Sequence, residues 1–177
     1  MSYITTWSGV HFDPVHPDPE LIRIEDIAHS LSLLCRANGH FKYFYTVAQH
    51  SIACAREAKA RNLSRRVQLA CLLHDAAEAF LSDVTRPVKA LLPEYSVIED
   101  RLLDAVWEKY LGSPVTNGER EAVFEIDDDM LSLEFKEIMP EELGDRYKKL
   151  KADICPHREN EEDVEKEFLR LFDELKD

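Results

Sequence analysis

The chain has 177 residues, of which 45% are hydrophobic and 32% charged, and this balance is typical of one globular domain. Its 35 acidic residues against 22 basic ones give a formal net charge of −13, which argues against duplex DNA, RNA or an anionic membrane as the main partner. The 5 glycines and 8 prolines are too few for a collagen-like or linker-rich chain, and no apolar run approaches the ~18 residues of a membrane-spanning helix.

The N-terminus and the cysteines both indicate in which cellular compartment the protein is expected. The first residues show no basic region followed by an apolar core, so the sequence does not predict a secretory signal. The chain has four cysteines and no CxxC pair: Cys35, Cys54, Cys71 and Cys155. The first three fall in apolar helical patterns, which favour small buried thiols, and Cys155 with His157 offers at most half of a zinc site. We therefore expect a cytoplasmic protein.

The first half of the chain predicts an irregular start followed by helices. Three prolines within the first 23 residues exclude a helix there. Apolar residues at three- and four-residue spacing predict a helix over about 25–37. A second helix is predicted over about 46–60, because Thr46 and Gln49 fit the capping-box pattern.

The second half of the chain is also predicted to be helical. A third helix starts after Ser64 and places His74 and Glu78 on one face. The remaining helices are predicted at about 94–111, ending at Gly112, at about 118–139 and at about 160–175. No segment alternates at period two long enough to predict a sheet. The sequence thus predicts an all-α single domain over 1–177, with a helical core at about 20–140 and an amphipathic C-terminal helix.

Several predicted helices carry ionisable residues where apolar ones are expected. His50 interrupts the inner stripe of the second helix, the His74-Asp75 doublet that of the third, and Asp127 that of the fifth. Burying such groups is costly unless they pair or hold a metal ion, and two imidazoles with two carboxylates make a suitable N/O set for one divalent ion. Taken singly, each histidine could be an ordinary core residue, and the run 127–129 could be a solvated acidic face.

These residues carry a resemblance to a known family. A histidine on one helix (His50), a His-Asp doublet on the next (His74-Asp75) and a later aspartate (Asp127) resemble the signature of the HD-domain metal-dependent phosphohydrolase superfamily. The resemblance covers about residues 20–140 and implies an HD-type helical bundle. It implies that these four residues hold the metal, with the choice of Asp127 among three consecutive aspartates resting on its spacing to the residues after it.

Neighbouring segments indicate which branches of the family the chain resembles. The stretch 74–89 and the pattern over 127–134 are similar to HD-domain 5′-deoxynucleotidases, whereas 26–29 and 36–40 resemble phage-type deoxyadenosine triphosphate triphosphohydrolases. The sequence departs from the usual pattern at Gln49, where relatives often have glutamate.

The resemblance implies hydrolysis of 5′-(deoxy)ribonucleotides by a metal-activated water, with one divalent transition metal per chain (Mn, Co, Fe, Ni or Zn, with Mg as a further option). Glu78 would be the general acid/base, and Asp83 would contact the sugar close to the reacting phosphate. Cationic contacts to the substrate are predicted at Arg36, Lys89 and His40, with Lys42 and Arg86 behind them. Candidate base-stacking residues are Trp7, Phe41, Tyr43, Phe44 and Tyr45.

The sequence leaves several functions open. Release of phosphate from deoxynucleoside monophosphates is favoured over release of intact triphosphate from triphosphates. Alternatives of another class are a non-catalytic metal- or nucleotide-binding module and a helical adaptor that uses the acidic C-terminal helix. The predicted partner is a small-molecule nucleotide, with no nucleic-acid polymer and no membrane, and the resemblance implies a homo-oligomer.

Overall fold

The computed structural model describes residues 3–140 and 150–176, and within these ranges it has eight α-helices and one two-stranded antiparallel hairpin. The all-α prediction is confirmed. The predicted domain bounds include 1–2, 141–149 and 177, which lie outside the described residues. The elements are β1 (Ile4–Thr5), β2 (His11–Phe12), α1 (Ile24–Leu33), α2 (Val47–Ala60), α3 (Arg65–Leu72), α4 (Glu78–Leu81), α5 (Arg86–Lys89), α6 (Pro93–Leu111), α7 (Asn117–Ile138) and α8 (Glu161–Lys176).

Helix α2 lies at the centre of the bundle and packs against α1, α3, α7 and α8. It begins with the predicted capping box: Thr46 Oγ1 accepts a hydrogen bond from the Gln49 backbone N–H at 3.1 Å, and Gln49 Oε1 accepts one from the Thr46 N–H at 3.1 Å. The Gln49 amide also donates to the His157 carbonyl and to Glu159. Gln49 therefore fixes the helix start and the C-terminal segment, and none of these contacts involves His50.

The predicted third helix is broken, and this break is a correction to the sequence analysis. Helix α3 ends at Leu72, and the next residues form tight turns, with backbone N–H groups bonding three residues back at Ala76 and Glu78. The His74 side chain takes the Cys71 carbonyl that a continued helix would bond to the Asp75 N–H. His74 and Glu78 consequently lie on separate elements instead of one turn apart on one helix.

Helices α6 and α7 begin and end close to the predicted residues. Helix α6 ends at Gly112, whose φ of 73° is the left-handed conformation that favours glycine. Helix α7 starts with a capping box formed by Thr116 and Glu119. It then carries Asp127 and Glu134 on the face that packs against α2, so both carboxylates enter the interior.

Two short elements were not predicted. The four-residue helix α5 begins with Arg86 and Pro87, and proline is tolerated in a first turn because its missing N–H would have no intrahelical partner there. The hairpin β1–β2 lies within the segment predicted to be irregular, and its two-residue strands are too short to show an alternating pattern. Within the described ranges, no helix is both long and apolar enough to cross a membrane.

The C-terminal helix α8 packs against α1, α2 and α3 through its apolar face. Its buried residues are Val164, Phe168, Leu171, Phe172 and Leu175. Because this face is used inside the chain, the acidic opposite face is what α8 presents outward, as expected of an exterior helix. A truncation of α8 would therefore expose core residues, which weakens the adaptor alternative for this helix.

Glu57 on α2 ties the segment that precedes α8 to the bundle. Its buried carboxylate accepts backbone hydrogen bonds from Lys151 and Ala152 and one from Arg61 Nε at 2.7 Å. Burial alone would raise the pKa of Glu57, but the bonds from Ala152 and Arg61 outweigh it and lower the pKa below its ordinary value.

Replacing Glu57 with glutamine is expected to destabilise the fold by about 1–3 kcal/mol near neutral pH, because buried donors lose a charged acceptor. The folded-state pKa is lowered, so this contribution is complete above the usual value of 4.5 and is lost as the pH falls through the folded-state pKa. Urea denaturation at a series of pH values should show the wild-type–variant difference shrinking as the pH falls below 4.5. The control Glu108→Gln, at an exposed site on α6, should show no difference. A gap that stays constant with pH would contradict this assignment.

Candidate metal centre

Four predicted ligands meet in the interior, and we call them the HHDD cluster: His50 of α2, His74 and Asp75 of the turn after α3, and Asp127 of α7. His50 Nε2 lies 3.2 Å from His74 Nε2 and 3.0 Å from Asp127 Oδ1. His74 Nε2 lies 3.2 Å from Asp75 Oδ2 and 3.7 Å from Asp127 Oδ1. Two nitrogen or oxygen donors that share one ion at 2.0–2.2 Å lie about 3.3 Å apart, so the spacing fits a shared metal ion.

Both imidazoles are held by their outer nitrogens. His50 Nδ1 lies 2.7 Å from Glu134 Oε1, and His74 Nδ1 donates to the Cys71 carbonyl at 2.7 Å. A carbonyl only accepts, so Nδ1 of His74 carries a proton, and in the neutral ring the lone pair that a metal needs is then on Nε2. Glu134 favours the same tautomer for His50. The two Nε2 atoms therefore point at each other from a buried, fixed pair of rings.

Two arginines hold the carboxylates of the cluster. Arg36 Nη1 donates to Asp75 Oδ2 at 3.1 Å and its Nε to Glu134 Oε2 at 3.2 Å. Arg86 Nη2 donates to Asp127 Oδ2 at 3.0 Å. Burial alone would raise the pKa of both cluster aspartates, but the adjacent histidines outweigh it and hold both well below their usual range. Both carboxyl groups are thus ready to act as anionic ligands.

The three consecutive aspartates, 127–129, each make different contacts. Asp127 faces the histidines, as its spacing predicted. Asp128 is exposed and pairs with Arg86 Nη1 at 2.7 Å, and Asp129 accepts from Arg61 Nη2 at 2.7 Å. A helix turns about 100° per residue, which separates consecutive side chains onto different faces.

Sequence reasoning missed two members of the site. Glu134 was noted on the same stripe of the fifth predicted helix as Asp127 and in a family-like pattern, but it was given no role; in the structure it orients His50. Cys54 was expected to be a small buried hydrophobe; it is buried, and its Sγ lies 3.5 Å from His50 Nε2. His50, Cys54 and His74 have donor atoms within 4.8 Å of one another and could hold a metal ion. The i, i+4 spacing of His50 and Cys54 on α2 was the signal that could have found it.

The Cys54 thiol is neutral in the metal-free site. Burial is the main cause, and the charges of Asp127 and Glu134 act in the same direction, so the pKa of Cys54 lies well above its usual range. In this state the thiol is a weak donor beside His50.

A cavity of about 470 Å³ opens onto the HHDD cluster and lies within the range of small-molecule sites, roughly 300–1,000 Å³. Its lining includes Asp75 and Asp127 of the cluster, and also Glu78 and Asp83. The predicted cationic contacts Arg36, His40, Lys89 and Arg86 line it too. Lys42 is not in this lining: it is exposed, and its Nζ donates to the Glu137 carbonyl at 3.1 Å.

Glu78, the first residue of α4, is the buried carboxyl group of this cavity. It is 6% exposed, and its Oε2 atom has no hydrogen-bond partner among the described residues. Burial is the main cause of its raised pKa, and the carboxylates of Asp75 and Asp83 add to it, so the pKa lies well above the usual range. Burial likewise raises the pKa of Asp83. Glu78 therefore holds its proton to a higher pH than an ordinary glutamate does.

The predicted base-stacking aromatics do not form one group. Phe41 lines the cavity and packs edge-to-face against Phe135, a residue that was not predicted, with ring centroids 5.9 Å apart. Trp7 stacks on His29 at 4.1 Å beside a different cavity. Tyr43 donates its hydroxyl to the Pro156 carbonyl. The other two predicted aromatics, Tyr45 and Phe44, are buried and partly buried, and neither is in the cavity lining.

No protein-family model matches the chain. The chain is 41% identical over 117 residues to the uncharacterized protein YfdR of Escherichia coli, across 65% of this chain and 62% of that protein. It is 44% identical over 105 residues to an uncharacterized protein of Rhodobacter capsulatus, across 56% of this chain and 53% of that protein. The chain therefore spans less than two thirds of the length of either relative, and neither relative's name states an activity.

Proposed function

We propose that this chain is a metal-dependent phosphohydrolase of the HD-domain type that releases phosphate from deoxynucleoside 5′-monophosphates. The observation that carries the proposal is that two histidines and two aspartates, the HHDD cluster, meet beside a cavity that also holds the buried Glu78, whose Oε2 has no hydrogen-bond partner among the described residues. These four residues occupy the positions at which the sequence resembles the HD signature.

The donor set suits one divalent transition ion. Imidazole and carboxylate are borderline and hard ligands, which suit Mn²⁺, Fe²⁺, Co²⁺, Ni²⁺ or Zn²⁺, with Mg²⁺ as a harder alternative. The HHDD cluster would hold the ion, which when bound would supply Lewis-acid activation of water and of a phosphate oxygen. Because two carboxylates nearly neutralise a divalent charge, such a site would not repel the substrate phosphate.

The charges of the cavity support a metal-dependent reaction on an anion. Four carboxyl groups and three cationic side chains line it, so without a divalent ion the lining offers no excess of positive charge to a phosphate. The carboxyl groups belong to Asp75, Glu78, Asp83 and Asp127, and the cations to Arg36, Arg86 and Lys89. A phosphate is thus expected to enter together with, or after, the ion.

The pairing of the cations supports a monophosphate substrate. Arg36 binds Asp75 and Glu134, Arg86 binds both Asp127 and Asp128, and Lys89 Nζ binds Glu99 at 2.7 Å. Each cation is already neutralised by a carboxylate. Little positive charge is left for the outer phosphates of a triphosphate, so release of intact triphosphate is the second candidate reaction.

Glu78 and Asp83 are assigned distinct tasks beside the phosphate. A carboxyl group with a raised pKa can donate its proton to the leaving 5′-oxygen, and this is the role that we assign to Glu78. Asp83 is partly buried in the same lining and would accept a hydrogen bond from a sugar hydroxyl. The presence of a competent Glu78 also argues against a non-catalytic binding module.

Product analysis by chromatography tests this proposal. The purified chain would be offered deoxynucleoside mono- and triphosphates with Mn²⁺, Co²⁺ or Mg²⁺. Nucleoside plus inorganic phosphate from monophosphates is the expected result, whereas nucleoside plus intact triphosphate would establish the second candidate. No product from any nucleotide in the presence of bound metal would contradict both. The homo-oligomer and the cytoplasmic location stay predictions, and size-exclusion chromatography tests the first.

Replacing Glu134 with glutamine is expected to weaken metal binding by about 10–100-fold, the usual effect of removing a charged partner from a ligand histidine. Glu134 orients His50 and is itself held by Arg36, so both lose a charged partner. Equilibrium titration of the metal-free protein measures the change. The matched control is Glu137→Gln, one turn further along α7 and exposed, which should bind metal like the wild type. Equal affinities for the two variants would rule out the orienting role.

A further inference from the structure

Cys54 lies deeper in the core than the carboxylates of the HHDD cluster. Asp75 and Asp127 line the cavity, whereas His50, Cys54 and His74 are buried and are absent from its lining. The two histidines therefore lie between two kinds of donor: the carboxylate oxygens of Asp75 and Asp127 on the cavity side, and the sulfur of Cys54 on the side of the core.

The position of the Cys54 sulfur fits a ligand. A nitrogen donor at about 2.0–2.1 Å and a sulfur donor at about 2.3 Å from one tetrahedral ion lie about 3.5 Å apart. The Cys54 Sγ to His50 Nε2 distance is 3.5 Å, and the His74 donor also lies within 4.8 Å of the sulfur. Cys54 follows His50 by one turn of α2, so the same rigid helix presents both donors.

Thiolate and carboxylate select different ions. Cysteine sulfur favours Zn²⁺ and other thiophilic ions, whereas carboxylate oxygen favours Mn²⁺ and Mg²⁺. When both kinds of donor surround one histidine pair, each class of ion finds donors that complete its ligand set.

We propose that His50 and His74 serve two alternative ligand sets: with Asp75 and Asp127 they hold a hard ion such as Mn²⁺ at the cavity, and with Cys54 they hold a thiophilic ion such as Zn²⁺ deeper in the core. As the Sγ–metal bond forms, the thiol proton leaves to solvent and Cys54 becomes a thiolate.

The two sets have opposite consequences for activity. An ion drawn toward Cys54 lies among three buried side chains that are absent from the cavity lining, whereas an ion held by Asp75 and Asp127 faces the cavity that a phosphate would enter. The zinc-bound chain is therefore inactive and the manganese-bound chain active. This consequence rests on the proposed function, whereas the ligand assignment of Cys54 does not.

Ultraviolet absorption on adding Cd²⁺ or Co²⁺ to the metal-free full chain tests the ligand directly. A thiolate-to-metal charge-transfer band that saturates at one ion per chain is expected in the wild type and absent in Cys54→Ser and Cys54→Ala. The matched control is Cys71→Ser, a buried cysteine whose backbone carbonyl, and not its sulfur, contacts His74. This variant should keep the band.

Zinc and manganese affinities give the second readout. Cys54→Ser should weaken Zn²⁺ binding by more than the ~10–100-fold typical of losing a hydrogen-bond partner of a ligand, and it should leave Mn²⁺ binding unchanged, which also shows that the variant is folded. Equal losses for both ions, or ions that bind without a thiolate band, would overturn the inference. If Mn²⁺ then still supports hydrolysis, the proposed function stands alone; if no ion of either class binds, both fail.

Discussion

Replacing His74 with alanine is expected to remove both the bound divalent ion and the hydrolysis of nucleotides. His74 is buried, its Nδ1 proton is fixed by the Cys71 carbonyl, and its Nε2 lies within 3.2 Å of both His50 Nε2 and Asp75 Oδ2. Losing a direct ligand should cost more than the ~10–100-fold in metal affinity that is typical of losing a residue that hydrogen-bonds to a ligand. Metal content after dialysis and phosphate release from deoxynucleoside monophosphates measure the two effects.

The control for this variant is His16→Ala, which removes a highly exposed histidine near the N-terminus. It should keep both metal and activity. Retention of one ion per chain by the His74 variant would contradict the assignment of His74 as a ligand, and a soluble, folded variant with full activity would contradict the reaction as well.

Glu78→Gln is expected to keep the metal and lose turnover by about 10²–10⁴-fold, the usual contribution of a positioned general acid or base. Glutamine retains the volume and a hydrogen-bonding oxygen but cannot transfer a proton. The four donors of the HHDD cluster are untouched, so the kcat should fall while the affinity for the ion is kept. Steady-state kinetics together with metal titration separates these two quantities.

An exposed glutamate of α7 provides the comparison for Glu78. Glu121→Gln should be indistinguishable from the wild type in both measurements. A Glu78 variant with unchanged kcat would remove it from the reaction, and one that loses the ion would make it a structural support of the cluster. Either result would require another proton donor in the cavity.

The helices with local start and stop signals could be predicted from sequence alone. Thr46 and Gln49 define the start of α2, and Gly112 supplies the left-handed residue that ends α6. These signals act through hydrogen bonds or backbone conformation within a few residues, so they are visible without the fold. The same holds for the apolar stripe of α8, which repeats at helical spacing.

The break after α3 could not be predicted because nothing local forbids a helix there. The residues around Ala76 and Ala77 are good helix formers, and neither glycine nor proline interrupts them. The deciding interactions are the His74 side chain on the Cys71 carbonyl and the contacts of the cluster with α2 and α7. Tertiary interactions thus override propensity at the residues that build the site.

The site shows the same division between local pattern and long-range contact. The positions of His50 and Asp127 follow from polar residues on otherwise apolar stripes, and a helical turn of about 100° per residue singles out Asp127 from its neighbours. Arg36 was assigned to the substrate, but its partners Asp75 and Glu134 are distant in sequence, so its ion pairs became visible only in the fold. In the sequence alone, Cys54 cannot be distinguished from any other buried cysteine, because only the fold brings His74 close to His50 and Cys54.

Metal reconstitution of Asp127→Asn and Asp128→Asn beside the wild type tests most directly whether the HHDD cluster binds the ion that hydrolysis needs. The metal-free chains would be titrated with Mn²⁺ while phosphate release from a deoxynucleoside monophosphate is measured. Activity is expected to return in the wild type and in Asp128→Asn, saturating at one ion per chain, whereas Asp127→Asn should stay inactive, because Asp127 faces the histidines and Asp128 pairs with Arg86 at the surface. Phosphate release by the metal-free wild type, or full recovery of Asp127→Asn, would contradict this expectation.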